Sequence, residues 1–157
     1  MADIWFYHFE RGRLEDLLPP ILTRCLGREW RVVVRASSPE RVAALDDHLW
    51  TFDERAFLPH GADGDAHADR QPVWITAGAE APNAAQAQIL VDAAEAPDYA
   101  PFERSMLVFD GRDDAALTSA REAWKAAKEA GHTLSYWQLN PTGRWEKKAQ
   151  HPPEDAE

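Results

Sequence analysis

The order of apolar and polar residues along the chain predicts alternating strands and helices. Ile4-Trp5-Phe6-Tyr7-His8-Phe9 is a β-branched and aromatic run stopped by Glu10-Arg11-Gly12, and it reads as a buried strand. From Arg13 to Leu26, the residues Leu14, Leu17, Leu18, Ile21, Leu22 and Leu26 recur at helical spacing. Pro19-Pro20 should kink or restart that helix, and Gly27 should stop it. Arg31-Val32-Val33-Val34-Arg35 has the continuous apolar centre of a strand covered on both faces. Ser38-Pro39-Glu40 then supplies an N-cap, a proline at the first helical position and early negative charge. The helix that follows carries Val42, Leu45 and Leu49 on one face and should end near Trp50.

Periodicity is lost from Thr51 to Pro72, a polar and glycine-containing loop long enough to suspect a role. Val73-Trp74-Ile75-Thr76 and Ile89-Leu90-Val91 are short strands on either side of an alanine-rich stretch without a clear period. Met106-Leu107-Val108-Phe109 is the most hydrophobic strand. Asp113 or Asp114 caps a long helix from about Ala115 to Ala130, closed by Gly131. Thr133 to Leu139 forms a last strand, Asn140-Pro141-Thr142-Gly143 turns, and Arg144-Trp145 adds a short edge. Residues 1–148 thus read as a single domain and the acidic, proline-rich 149–157 as a disordered tail. The alternation argues an α/β fold, a three-layer α/β/α, Rossmann-like domain with a mostly parallel central sheet.

A chain of 157 residues is long enough to bury roughly 70% of the surface its unfolded form exposes. Its one cysteine, Cys25, excludes an internal disulfide framework and sits among apolar neighbours, as a buried structural thiol would. No leader-like segment opens the chain and no run reaches the ~18 apolar residues of a membrane span, so a reducing cytoplasm is expected. The 17 basic and 27 acidic residues give a net charge of −10, which argues against a protein that grips nucleic acid with its whole surface. That charge is unevenly placed. All four lysines lie after position 124, and the stretch from Arg121 to Lys148 holds six basic residues against three acidic ones. A local positive surface of this size suits a short acidic peptide, or is an ordinary solvated face.

The turn after the first strand, Phe9-Glu10-Arg11-Gly12-Arg13, has one glycine where a dinucleotide fingerprint needs several, and no Gly-Lys-Ser/Thr phosphate loop occurs. No cofactor is expected. The histidines show no paired ligand spacing; His60 and His67 with Asp63, Asp65 and Asp69 come nearest to a cluster, and a polar loop accounts for them without a metal. No Gly-x-Ser-x-Gly elbow is present, so catalysis is not supported.

Two surfaces remain. On the long helix, Arg121, Trp124, Lys125 and Lys128 share one narrow sector with Leu117, while Ala116, Ala120, Ala123 and Ala127 mark an adjacent face that can lie close to the sheet. An indole among cations suits an apolar side chain accompanied by carboxylates; equally, the indole can be core with its basic neighbours snorkelling past it. The second surface is Leu49-Trp50-Thr51-Phe52 through Phe57-Leu58-Pro59-His60, either an interface anchor or the closure of the core.

These residues carry a resemblance. The aromatic first strand, Leu45-Asp46-Asp47-His48-Leu49-Trp50 leading to Phe57-Leu58-Pro59-His60-Gly61, and the run Ala120-Arg121-Glu122-Ala123-Trp124-Lys125-Ala126-Ala127-Lys128 resemble the chi subunit family of bacterial DNA polymerase III over nearly the whole chain. The resemblance implies a non-catalytic accessory subunit of the polymerase holoenzyme that ties the clamp-loader assembly to single-stranded DNA-binding protein by holding its acidic C-terminal tail. It implies that Arg121, Trp124 and Lys125 belong to the tail site, with Lys128 at a position also basic in the family. It further implies that Trp50 and Phe57 belong to the surface for the psi subunit or an accessory helicase. Two departures bear on this: Leu117 stands where the helix can carry another lysine, and the aromatic is Trp124 where tyrosine also occurs. The alternative is a small α/β enzyme with an active site at the strand C-termini, near Gly12, Ala36-Ser37 or Asp110-Gly111. Direct single-strand binding through the tryptophans is a third reading, opposed by the net charge.

Overall fold

The computed structural model describes residues 2–51, 59–92, 94–96 and 98–152. The chain enters in the middle of the sheet with β1 (Asp3–Phe9), passes through α1 (Leu14–Gly27) to β2 (Val32–Arg35) and through α2 (Pro39–Thr51) towards the β3 (Gly61–Ala62) edge. Then follow β4 (Val73–Thr76), β5 (Ala87–Leu90), β6 (Arg104–Asp110), α3 (Asp114–Glu129), β7 (Thr133–Leu139) and β8 (Trp145–His151). The strand order is β3-β4-β2-β5-β6-β1-β7-β8, parallel throughout except for the antiparallel pair β7 and β8. This is the expected three-layer α/β arrangement with a mostly parallel sheet.

Alternation along the strands divides the core between two faces. Val32, Val34, Val73, Ile75, Ile89, Met106 and Val108 meet Leu18, Ile21 and Leu22 of α1 and Val42, Leu45 and Leu49 of α2. On the opposite face, Ile4, Phe6, Phe109 and Leu134 meet Ala120 and Ala127 of α3, small residues that let the helix approach the sheet closely. Beyond the reach of α3, that same face is closed over β2 and β4 by loop residues, with Ala85 and Phe102 packed on Val33 and Trp74.

Local chemistry explains the element ends. Ser38 Oγ accepts from the Arg41 amide and Pro39 opens α2. Asp113 accepts from the amides of Ala115 and Ala116 at the start of α3, and Gly131 takes a φ of 85° just past its end. α1 stops at Gly27 as expected, although the left-handed residue is Glu29, with a φ of 63°. Two expectations need correction. α1 does not restart at Pro19-Pro20: it is one helix over Leu14–Gly27, and the two prolines remove the donors of two of its i→i−4 bonds. The edge expected at Arg144-Trp145 is a seven-residue strand, so the boundary at 148 falls inside β8, which reaches His151. Residues 153–157 of the expected tail lie outside the described residues.

Candidate functional site

α3 presents its basic stripe as the periodicity requires. Arg121, Lys125 and Lys128 are exposed, and among the described residues none of them enters an ion pair. Trp124, between them, is half-buried. One edge of its indole packs against fully buried Phe6 of β1 with ring centroids 5.2 Å apart, and it meets Tyr136 of β7 at 6.0 Å. Trp124 therefore belongs partly to each of the two readings: its inner edge is anchored in the core and its outer part stays at the surface between three unpaired cations. Leu117 also packs on that core cluster, which places an apolar residue where a further cation would extend the stripe.

Tyr136 completes this surface, and the linear sequence gave it no distinguishing mark. It reaches Trp124 only because β7 lies beside β1 in the register that sets Phe6 opposite Tyr136. Its hydroxyl lies 2.6 Å from Nδ1 of buried His8, whose Nε2 lies 3.2 Å from Glu10 Oε1. Burial pushes the Tyr136 phenol above its ordinary value, against the opposing charge of Arg121 and with a smaller push from Glu10. A neutral phenol donating to Nδ1 leaves Nε2 protonated to donate to Glu10, so one tautomer satisfies both contacts. Gly111 packs directly over this imidazole, and a Cβ there would collide with it.

At the end of α2, Trp50 is 54% exposed while Val42, Leu45 and Leu49 on the same helix are buried. Its ring rests on His60, centroids 4.5 Å apart, and His60 Nε2 lies 3.0 Å from Asp46 Oδ1, tying the segment after α2 back to that helix. Phe57, expected beside Trp50, lies outside the described residues.

The crevice at the strand C-termini is a hollow of about 460 Å³ lined by Gly12, Glu15, Arg41, Asp92, Asp110 and Arg112 among others. Its charges satisfy one another: Arg41 binds Glu15 at 3.0 Å and Asp92 at 2.7 Å, and Arg112 binds Asp110 at 2.9 Å. The first amides of α3, the natural anion seat of such a crevice, are occupied by Asp113. Among the described residues, no group of three or more His, Cys, Asp or Glu side chains comes together as a metal site would require, and no helix is long and apolar enough to cross a membrane. Cys25 is buried, and burial pushes its thiol above the ordinary value.

Comparison with known proteins finds one family. The family model described as "DNA polymerase III chi subunit, HolC" matches residues 1–135. A probable DNA polymerase III subunit chi of Rickettsia prowazekii is 23% identical over 159 aligned residues, covering 95% of this chain and 93% of the relative. The DNA polymerase III subunit chi of Haemophilus influenzae is 28% identical over 106 residues, covering 67% of this chain and 73% of the relative.

Proposed function

The chain belongs to the DNA polymerase III chi subunit family, and from that premise we propose that it is a non-catalytic adaptor of the replicative polymerase, holding the acidic C-terminal tail of single-stranded DNA-binding protein on α3 and so linking that protein to the clamp-loader assembly. The observation that carries this reading is the trio Arg121, Lys125 and Lys128, exposed and unpaired among the described residues, around the half-buried face of Trp124. Arg121 can take a carboxylate in bidentate fashion, the two lysines act as point charges for further acids, and the exposed part of the indole receives an apolar side chain. The mutual pairing of Arg41 with Glu15 and Asp92 and of Arg112 with Asp110 in the crevice favours the adaptor over the enzymatic alternative. This reading puts the protein in the cytoplasm, with no cofactor of its own.

Titration calorimetry with a peptide rich in acids and ending in an apolar residue tests it. Binding in the micromolar range is expected, weakening as salt rises, because a short disordered tail must be ordered on binding and part of the attraction is exposed charge. No measurable heat at low salt, or an affinity unchanged by Arg121→Ala combined with Lys125→Glu, rejects the assignment.

The exposure of Trp50 supports a second contact, with a psi subunit or an accessory helicase, on the surface around Trp50 and Phe57. Trp50→Ala should abolish capture of such a partner while leaving the tail peptide's affinity unchanged.

A further inference from the structure

The sheet face opposite α3 is covered by α1 and α2 over β2, β4 and β6, but towards β7 and β8 it ends in a furrow of aromatic rings. Trp5 of β1 stacks on Trp137 of β7 with centroids 5.0 Å apart, and Tyr7 lies against Trp145 of β8 at 4.7 Å. Two hollows of about 370 and 200 Å³ open over these rings and share Trp5, Tyr7 and Arg24 as a common wall. All three tryptophans are half-exposed.

The charge along the furrow is mainly positive. Arg24, Arg28, Arg104 and Arg144 line the two hollows, and among the described residues no acidic side chain does. Arg104 lies 3.6 Å above the Trp5 ring, and Lys147 stands 5.5 Å above Trp137. Asp3 pairs with Arg104 at 3.6 Å and accepts from the Trp5 indole Nε1 at 3.0 Å, so one carboxylate touches the array and fixes both groups. In a chain of net charge −10, four arginines gathered around an aromatic floor that only Asp3 touches among the described acids make a local excess of positive charge. The floor also carries an unmet donor: Nε1 of Trp137 is buried without a hydrogen-bond partner among the described residues.

We propose that this furrow is a second binding surface, separate from the α3 stripe, and that its occupant is single-stranded nucleic acid. Each nucleotide brings one planar ring and one negative charge, and the furrow offers indole and cation in the same alternation. An acidic peptide would use the arginines and leave most of the aromatic floor unmatched. The acidic remainder of the protein keeps the contact weak and local, which suits a subunit that meets single strands already crowded with other proteins. The proposal does not rest on the tail-binding reading, because the two surfaces lie on opposite faces of the sheet.

Fluorescence anisotropy with labelled oligothymidylate and oligouridylate of about twenty nucleotides tests it on the full chain. Binding is expected at about 50 mM salt. With about three phosphates engaged, it should weaken roughly 20-fold on going to about 200 mM. Arg24 and Arg144 are exposed, so Arg24→Glu with Arg144→Glu should leave the melting curve unchanged and reduce affinity at least about tenfold. Arg121→Ala with Lys125→Glu on α3 should leave the oligonucleotide affinity unchanged. Preference for one of the two oligomers identifies DNA or RNA as the source. No binding of either at low salt, equal binding by the furrow variant, or loss only in the α3 variant overturns the proposal. So does a furrow variant that loses an acidic peptide while neither oligonucleotide binds the wild type, since the furrow would then be a peptide site.

Discussion

Trp124 meets Phe6 edge to face, their planes at 64°, so a residue of the helix surface is fastened to the most deeply buried part of β1. The indole is thus oriented before any ligand arrives, and little side-chain freedom remains to be lost on binding. Trp124→Ala should lower stability by about 1–2 kcal/mol, from the lost ring pair and the partial burial. It should also weaken the acidic peptide at least about tenfold. Trp124→Tyr keeps a ring against Phe6 and should recover most of both. Urea denaturation and calorimetry on the two variants check this; an alanine variant that binds like wild type removes the indole from the site.

Gly111 is where the network behind Tyr136 is most easily disturbed. A Cβ at this position would occupy the space of the His8 imidazole, which holds the Tyr136 hydroxyl at 2.6 Å. Gly111→Ala should cost about 1–3 kcal/mol through overpacking. It should also loosen Tyr136, seen as a several-fold weaker peptide. Tyr136→Phe keeps the ring and removes only the hydroxyl, so it should spare most of the affinity. If Gly111→Ala is isostable with wild type, the imidazole has room to move and the network is not a rigid support.

What the linear sequence reveals here follows from how local its causes are. Val32-Val33-Val34, the Ser38-Pro39-Glu40 start and the Asp113 cap are legible because burial on both faces or a single side-chain bond decides them. The basic stripe is legible for the same reason, since helical spacing alone brings Arg121, Trp124, Lys125 and Lys128 together. β8 is not: Trp145-Glu146-Lys147-Lys148-Ala149-Gln150-His151 is polar because it is an edge, and only pairing with β7 makes it a strand. Tyr136, Arg24 and Arg104 gain their roles from strand order and packing, which bring residues distant in sequence to one surface.

Arg35 is 3% exposed and has no carboxylate partner among the described residues. Its Nε donates to Gln88 Oε1 at 2.8 Å, and its Nη1 donates to the carbonyls of Gly78 and Glu80. Gln88 in turn donates to Ser105 Oγ and the Asp98 carbonyl, both at 2.9 Å. Gln88→Ala leaves a buried guanidinium donor unmet and should cost about 2–3 kcal/mol, whereas Ser105→Ala removes one neutral bond and should cost about 1 kcal/mol. Denaturant midpoints separate the two; equal costs would mean that water replaces the Gln88 oxygen.

Arg41 of α2 bridges α1 and the turn after β5, binding Glu15 Oε1 at 3.0 Å and Asp92 Oδ2 at 2.7 Å. For Glu15, burial is the largest influence and raises its pKa, but the hydrogen bonds from its own backbone amide and from Arg41, with the Arg41 charge, hold the carboxyl below its ordinary 4.5. A carboxyl lowered in the folded state binds fewer protons there than in the unfolded chain, so its contribution is complete above about 4.5 and is lost as pH falls through the folded value. Arg41→Met removes the guanidinium that lowers Glu15, so the stability gap between wild type and variant should be larger near pH 6 than near pH 3. Arg112→Met, which breaks an exposed pair with Asp110, should change the midpoint little at either pH, because solvent screens that pair. Urea titrations of the three proteins across this range decide the matter: a gap for Arg41→Met that does not shrink in acid would mean that the arginine stabilises through packing of its stem and not through Glu15.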